Sequence, residues 1–174
     1  MVIWITGLPG AGKTTVARKL AKDNSIFRTN PIILDGDEIR NIIIHANQKN
    51  FYDRDSRLSL AYKYAGLANL LSEQGHNVIV ATVSLFREVH KWNRNNISEY
   101  FEIFLKVPRE ELEKRDQKKL YSRYKDGKIN NIAGLDIAVD FPSNANCVVD
   151  FKIINDLEKS IKFIKEAFLK SIYK

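Results

Sequence analysis

Short apolar runs rich in β-branched residues alternate along the chain with segments of helical period. The apolar runs read VIWIT, PIILD, NVIVATVS, YFEIFLKV and CVVDFKII. Helical patterns begin near Lys13, extend over residues 56–74 and pass through Trp92. This alternation is typical of parallel strands joined by crossover helices. We therefore expect an α/β fold in which helices cover both faces of a mostly parallel central sheet.

The last predicted helix has a clear apolar face. Its apolar positions recur at spacings of four, three, four and four, at Leu157, Ile161, Ile164, Phe168 and Ile172. Such spacing places one stripe of side chains toward the core. Asn155 or Asp156 stands where a side chain can cap the start of this helix.

Residues 117–146 lack a regular period and are rich in Lys, Asn, Gly and Asp. A loop of this length inside a compact domain is usually functional and often closes over a ligand. We predict a single domain over residues 1–174, with a mobile lid at about residues 116–146.

The length of 174 residues and the hydrophobic content of 44% are sufficient for one sizeable core. No apolar run approaches the ~18 to 20 residues of a membrane span, and the apolar start lacks the basic leader of a secretion signal. We therefore expect a cytoplasmic protein without membrane contact. The single cysteine, Cys147, lies in a predicted strand, where a packed thiol without a functional role is expected.

The formal net charge of +7 favours polyanionic partners. The lysines are scattered along the chain instead of forming one block. We expect a small phosphorylated substrate to use this charge, and we do not expect nucleic acid as the partner.

A glycine-rich loop follows the first predicted strand. Residues 7–14 read GLPGAGKT and match the pattern G-x-x-x-x-G-K-[ST] ahead of a predicted helix. In this context backbone N–H groups converge on nucleotide phosphates, and the lysine reaches the β and γ oxygens. Thr14 can offer its hydroxyl to Mg²⁺. The residues predicted to bind a nucleoside triphosphate are Gly10, Ala11, Gly12, Lys13, Thr14 and Thr15.

Two aspartates follow the second predicted strand, in LDGDEIR. Ligands bind at the carboxyl ends of strands in open α/β sheets, so Asp35 and Asp37 can divide the holding of Mg²⁺ water and the acceptance of a hydroxyl proton. We predict phosphoryl transfer to an alcohol, in which Lys13 neutralises charge and Asp35, in preference to Asp37, acts as the base.

Two other classes of nucleotide-binding protein remain as alternatives. The Asn-Lys-x-Asp motif of GTPases is not evident, and NVIVATVS ends at Ser84, where an ATPase would place an acid. A nucleotide-regulated binding protein would hydrolyse ATP slowly without an acceptor. A polynucleotide 5′-kinase would hold a nucleic acid strand on its positive surface.

The motifs GLPGAGKTT, LDGDEIR, FEIFLKVPREELEKRDQKKLY and GKINNIAGLDIAVDFP occur in the order found in the adenylylsulfate kinases, which the chain resembles over most of its length. That family passes the γ-phosphate of ATP to the 3′-hydroxyl of adenosine 5′-phosphosulfate. The resemblance implies a P-loop NTPase-type three-layer sandwich, ATP and Mg²⁺ as cofactors, and a homodimer.

The resemblance also implies roles for particular residues. Arg115 would lie beside the ATP base, and Lys118 would face the phosphates. Arg40 would reach the phosphate of the acceptor nucleotide. Asp35 and Asp37 would sit at the metal and the acceptor hydroxyl, with Asp37 reaching Mg²⁺ through water.

The departures from the family pattern lie in the acceptor half. The family segment GFSxxDRxENIRR corresponds to FYDRDSRLSLAYK, in which Tyr52 can replace the aromatic residue and Arg57 the first arginine. In the predicted lid NIAGLD replaces NFTGID, so Ile132 and Ala133 stand where the family has a phenylalanine and a hydroxyl. The other differing positions are Ser56, Leu60 and Tyr62.

Loss of an aromatic platform weakens purine binding, because stacking on a ring is worth ~1 to 3 kcal/mol per base. We therefore expect the acceptor to be cytidine diphosphoramidate, the substrate of a branch similar to this family that serves capsule synthesis. Adenylyl sulfate is the alternative acceptor. The residues expected to bind the acceptor are Asp37, Arg40, Tyr52, Arg57, Ser84 and Ile132.

Overall fold

The computed structural model describes residues 1–27, 29–43, 53–116 and 118–172, with only the backbone of the last residue. Its sheet has five strands in the order β2-β3-β1-β4-β5, and every pair of neighbours is parallel. This confirms the predicted α/β architecture. The strands are β1 (Val2–Thr6), β2 (Ile32–Asp35), β3 (Val78–Ala81), β4 (Tyr100–Lys106) and β5 (Cys147–Asp150).

Helices lie on both faces of this sheet. In the described residues they are α1 (Lys13–Leu20), α2 (Gly36–Ile43), α3 (Arg54–Glu73), α4 (Arg87–Asn96), α5 (Arg109–Arg115), α6 (Leu120–Lys125) and α7 (Leu157–Ile172). One apolar cluster packs α1, α5, α6 and α7 against the sheet, and a second packs α3 and α4 against its other face. No helix in these ranges is long and apolar enough to cross a membrane.

The central strand β1 is buried along its whole length. Side chains alternate between the faces of a strand, so Ile3 and Ile5 join the first apolar cluster while Val2 and Trp4 join the second. Burial on both faces explains why this strand is a continuous apolar run instead of an alternating one.

Two predicted strands end earlier than expected. NVIVATVS forms a strand only to Ala81, so Ser84 lies in the loop beyond it. CVVDFKII forms a strand only to Asp150, whose carbonyl accepts from the N–H groups of Ile153 and Ile154 at 2.9 and 2.8 Å and closes a turn. The thiol of Cys147 is buried, as expected, and this burial raises its pKa to about 12.

The stretch that lacks a regular period contains a short helix, α6, which the sequence reasoning did not predict. Asp116 starts this helix by accepting from the backbone N–H groups of Tyr121 and Ser122 at 3.0 and 2.9 Å. The helix covers two turns at most, so it is too short for a helical period to be recognised from the spacing of its apolar residues.

A buried carboxylate fastens α4 to β4. Glu102 is fully buried and accepts from Arg94, while its Oε1 lies 2.6 Å from His90 Nδ1. The Tyr100 hydroxyl donates to the same oxygen at 3.0 Å. A buried charge needs such partners, and removing one partner of a buried pair is strongly destabilising.

The C-terminal helix begins as predicted. Asp156 Oδ1 accepts from the backbone N–H of Lys159 at 2.9 Å, the geometry of an N-terminal cap. Ile161, Ile164 and Phe168 of the predicted stripe are buried. Leu157 is 38% exposed, so the stripe meets the core only after the first turn.

We expect the change Asp156→Ala to lower the free energy of unfolding by ~1 kcal/mol, because an N–H of the first turn of α7 loses its acceptor. Urea denaturation followed by circular dichroism measures this loss. The control is Asp156→Asn, which keeps an acceptor oxygen and is expected to lose less. Equal stability of the alanine variant and the parent protein would contradict the assigned cap.

Candidate active site

The glycine-rich loop joins β1 to α1 at the carboxyl edge of the sheet. Gly10 and Gly12 have φ values of 81° and 93°, in the left-handed region that side chains rarely adopt. At Gly7 a Cβ atom would lie 2.7 Å from the carbonyl oxygen of Leu105. The N–H of Ala11 donates to Leu8 O at 3.1 Å, so this amide closes a turn within the loop.

The side chain of Lys13 folds over the loop. Its ammonium donates to the carbonyl oxygens of Gly7 and Leu8 at 3.0 and 2.9 Å. Burial lowers the pKa of Lys13 to about 8, although the carboxylates of Asp37 and Asp35 act in the opposite direction. The cation therefore lies within electrostatic reach of both acids.

Thr14 joins the loop to the end of β2. Its hydroxyl donates to Asp35 Oδ2 at 2.5 Å, and Asp35 Oδ1 accepts from the backbone N–H of Asp37 at 2.9 Å. Asp35 is only 5% exposed, and each of its two carboxylate oxygens accepts one of these hydrogen bonds.

The glycine between the two acids is required by close packing. A Cβ atom on Gly36 would lie 2.9 Å from Thr82 Oγ1. The hydroxyl of Tyr64, on α3, donates to the carbonyl of Gly36 at 2.9 Å and holds the turn from the other side. The position of Asp37 is thus set by contacts with α3 and with Thr82, directly after β3.

Asp37 lies within electrostatic reach of three cations, Arg40, Lys118 and Lys13. Its Oδ1 accepts from Arg40 at 3.2 Å, and its Oδ2 accepts from Lys118. Burial by itself would raise the pKa of Asp37, but the hydrogen bond from Lys118 and the charges of Lys118, Arg40 and Lys13 outweigh it and hold the pKa below its usual value. Asp37 is therefore ionised at neutral pH.

The 118–146 segment packs on the glycine-rich loop. The buried hydroxyl of Tyr121 donates to the carbonyl of Pro9 at 2.8 Å. Gly134 has a φ of 84°, and a Cβ atom there would lie 2.5 Å from Leu8 Cδ2. The sequence pattern predicts no role for Tyr121, because its partner is a backbone atom 112 residues away.

A cleft opens beside the acids, between α3, the loop after β3 and the 118–146 segment. We call it the side cleft. The cleft is narrow, with a volume of about 20 Å³, and is partly open to solvent. Its lining comprises Arg40, Arg57, Leu60, Tyr64, Thr82, Val83, Ser84, Leu85, Phe86, Ala133, Ile137, Ala138 and Val139.

Arg40, Arg57 and Ser84, three of the residues expected to bind an acceptor, meet in the side cleft. The hydroxyl of Ser84 lies 2.9 Å from Thr82 Oγ1. Ile132 is buried and does not line the cleft, which its neighbour Ala133 does.

Arg57 also connects α3 to the 118–146 segment, because its guanidinium donates to the carbonyl of Asn131 at 2.7 Å. Tyr52, predicted to replace the family's aromatic residue, lies outside the described residues.

Arg115 lies apart from this group of side chains. Its guanidinium stacks over the ring of Phe151 at 4.5 Å from the centroid, and its Nε donates to Glu111 at 2.9 Å. The sequence reasoning placed Phe151 inside a strand and gave it no role. Phe151 lies in a turn after β5, where the Arg115 guanidinium covers its ring in a cation–π contact.

The donor atoms near Thr14 fit a magnesium ion. Mg²⁺ takes oxygen ligands and is commonly held by one or two protein side chains together with substrate phosphates. The Thr14 hydroxyl and the Asp35 carboxylate supply such oxygens. In the described ranges no group of three or more His, Cys, Asp or Glu side chains is arranged to hold a metal, so a site built wholly from protein ligands is not present there.

Comparisons with known proteins agree on one family for this chain. The family described as "Adenylylsulphate kinase" matches residues 1–150. The cytidine diphosphoramidate kinase of Campylobacter jejuni is 40% identical over 163 residues, 94% of this chain and 93% of that protein. The adenylyl-sulfate kinase of a Picosynechococcus species is 34% identical over 164 residues, 93% of this chain and 89% of that protein.

A solved structure shares the fold. The Mycobacterium tuberculosis APS kinase in complex with AMPPNP and APS superposes with a TM-score of 0.81, at 24% sequence identity and 95% coverage of each chain. At this identity the likeness shows the three-layer fold and no more.

We expect the change Tyr121→Phe to lower the free energy of unfolding by about 1 to 2 kcal/mol, because the carbonyl of Pro9 loses its buried donor. We also expect the KM for ATP to rise about threefold, because a neutral hydrogen bond is worth about 1 kcal/mol and part of that energy holds the loop. Denaturation and ATP titration measure the two effects. Tyr124→Phe on the same helix is the control, and matching behaviour of the two variants would refute the role of the Pro9 contact.

Proposed function

The chain belongs to the adenylylsulfate kinase family, and from this premise we propose that it phosphorylates the 3′-hydroxyl of cytidine diphosphoramidate. It is an ATP-dependent phosphotransferase. The observation that carries the choice of acceptor is the lining of the side cleft. The described part of the 118–146 segment contributes Ala133, Ile137, Ala138 and Val139 to that lining and no aromatic ring.

The rings that line the cleft, Tyr64 and Phe86, come from α3 and the loop after β3, so the 118–146 segment offers a base only aliphatic side chains. A pyrimidine has less ring surface to stack than a purine, so it loses less binding energy when this segment supplies no aromatic platform. The 40% identity to a cytidine diphosphoramidate kinase supports the same choice. Adenylyl sulfate is the second candidate, supported by the family match and by the 34% identical relative.

The glycine-rich loop is proposed to hold the triphosphate of ATP. The loop amides and the positive end of α1 would bind the phosphate oxygens, and Lys13 would neutralise charge on the transferred group. Thr14 and Asp35 would hold Mg²⁺, which supplies positive charge between the phosphates when it is bound. Arg115 and Phe151 are proposed to bind the adenine ring between them and the loop.

The contacts support a division of work between the two acids that is the reverse of the sequence expectation. Asp35 is buried and bonded to the Thr14 hydroxyl, which suits the metal shell. Asp37 is half-exposed and connects through Arg40 to the side cleft, which suits the acceptor hydroxyl. Its lowered pKa makes it a weak base, so its main task would be to orient the hydroxyl, as a loose phosphoryl-transfer transition state requires.

The 118–146 segment is proposed to act as the lid. Lys118 reaches Asp37 from this segment and would place a second cation beside the transferred phosphoryl group. Closure of the segment over both nucleotides would exclude water and so suppress hydrolysis of ATP. We further propose a single domain with its site in this crevice, a cytoplasmic location where ATP is available, and a homodimeric assembly.

We expect the protein with Mg²⁺ and ATP to phosphorylate cytidine diphosphoramidate with a kcat/KM at least about tenfold above that for adenylyl sulfate, the size of one lost stacking contact. Transfer from radiolabelled ATP to each nucleotide measures the two rates. Lys13→Ala is the blank, because it removes the cation on the transferred group.

The outcomes of this assay separate the candidates. A preference for adenylyl sulfate would replace the first proposal with the second. Transfer to neither nucleotide, with slow ATP hydrolysis, would favour the nucleotide-regulated binding protein. Transfer to a 5′-hydroxyl oligonucleotide would favour the polynucleotide kinase.

We expect Asp37→Ala to lower kcat by about 10²-fold or more while ATP binding changes little, because the acceptor hydroxyl loses its partner. We expect Asp35→Asn instead to raise the Mg²⁺ concentration for half-maximal rate by about tenfold, because a charged ligand is lost. Steady-state kinetics over a magnesium series, with ATP binding by calorimetry, distinguishes the two. If instead the Asp35 variant loses kcat and the Asp37 variant needs more Mg²⁺, Asp37 binds the metal and Asp35 contacts the acceptor hydroxyl.

A further inference from the structure

The N-terminus of α4 is capped by a residue from another part of the chain. Its own capping position is Phe86, which supplies no side-chain hydrogen bond. The carboxylate of Asp140 instead accepts from the backbone N–H of Arg87 at 3.4 Å, and the N–H of Asp140 donates to the carbonyl of Leu85 at 2.9 Å. These two contacts reproduce across 53 residues what a local capping residue does for a helix start.

Two arginines add charge to this contact. The Asp140 carboxylate lies 3.8 Å from Arg54 and 3.7 Å from Arg87. Arg54 also lies 3.7 Å from Glu88 and stands over the ring of Phe86 at 5.4 Å. The side chain of Arg87 is 84% exposed and that of Arg54 is 42% exposed, so solvent screens the Arg87 pair more strongly than the Arg54 pair.

The contact joins the two walls of the side cleft. Leu85 and Phe86 line one wall, while Ala138 and Val139, directly before Asp140, line the other. Glu102 already fastens α4 to the sheet, so that helix is the fixed partner. Asp140 therefore ties the 118–146 segment to a helix that is fixed to the sheet at the cleft.

We propose that Asp140 is a positioning residue that sets the width of the side cleft and so determines acceptor affinity. This inference rests on the proposed function, in which the acceptor occupies that cleft. Asp140 itself does not line the cleft and acts through the backbone on either side of it. The proposed ATP contacts, on the glycine-rich loop and at Arg115, Lys118 and Phe151, do not line the side cleft, so we expect the effect mainly on the acceptor.

The test compares Asp140→Ala and Asp140→Asn with the parent protein. Alanine removes both the helix cap and the charge, and we expect it to raise the acceptor KM about tenfold while the KM for ATP stays within about twofold. Asparagine keeps an oxygen that can accept from Arg87 and loses only the charge. We expect it to raise the acceptor KM about threefold, since partly exposed ion pairs contribute little.

The matched control is Asp156→Ala, which removes a helix cap on α7 away from the side cleft. We expect it to lower stability without changing the acceptor KM. An Asp140→Ala acceptor KM equal to that of the parent, or equal rises in the KM for acceptor and ATP, would overturn the inference.

Hydrogen exchange followed by mass spectrometry tests the same contact without an acceptor. We expect faster exchange at residues 85–90 and 137–141 in Asp140→Ala, and no change there in Asp156→Ala, because each lost cap frees local N–H groups. Unchanged exchange in Asp140→Ala would refute the inference. Failure of the parent protein to phosphorylate either nucleotide would instead refute the proposed function, and the exchange result would still decide the role of Asp140.

Discussion

The hydrogen bond between the Thr14 hydroxyl and the Asp35 carboxylate connects the two halves of the site. Thr14 belongs to the first turn of α1, whereas Asp35 ends β2, and β3 lies between β2 and β1 in the sheet. The bond therefore spans the carboxyl end of an intervening strand. The other oxygen of Asp35 holds the N–H of Asp37, so the contacts of Asp37 with Arg40 and Lys118 depend on the same link.

The 118–146 segment is attached to this site mainly through main-chain carbonyl groups. The carbonyl of Pro9 accepts from the Tyr121 hydroxyl, and the carbonyl of Asn131 accepts from the Arg57 guanidinium. The carbonyl of Leu85 accepts from the N–H of Asp140. Tyr121 also joins the first apolar cluster, so the start of the segment is held by apolar packing as well as by these polar contacts. Relatives of this chain are named for different acceptor nucleotides, cytidine diphosphoramidate and adenylyl sulfate.

Local patterns predicted much of the fold. The five apolar runs became the five strands, and the glycine-rich loop took the backbone angles that its glycines permit. Strand ends were less well predicted, because a turn at Asp150 and the loop before Ser84 stop pairing that local β-propensity would continue. The helix α6 was missed, since its start depends on the Asp116 side chain and its length is too short for a visible period.

The sequence by itself determined the phosphate-binding loop, the pair of acids after β2 and the parallel sheet, because each follows from residue spacing within a short segment. Only the tertiary structure decided that Asp37 meets Arg40 and Lys118, that Tyr121 bonds to Pro9, and that Asp140 caps α4. These contacts join backbone atoms and side chains far apart in the chain. Any residue type presents the same backbone carbonyl or amide, so such a partner leaves no mark in the amino-acid sequence.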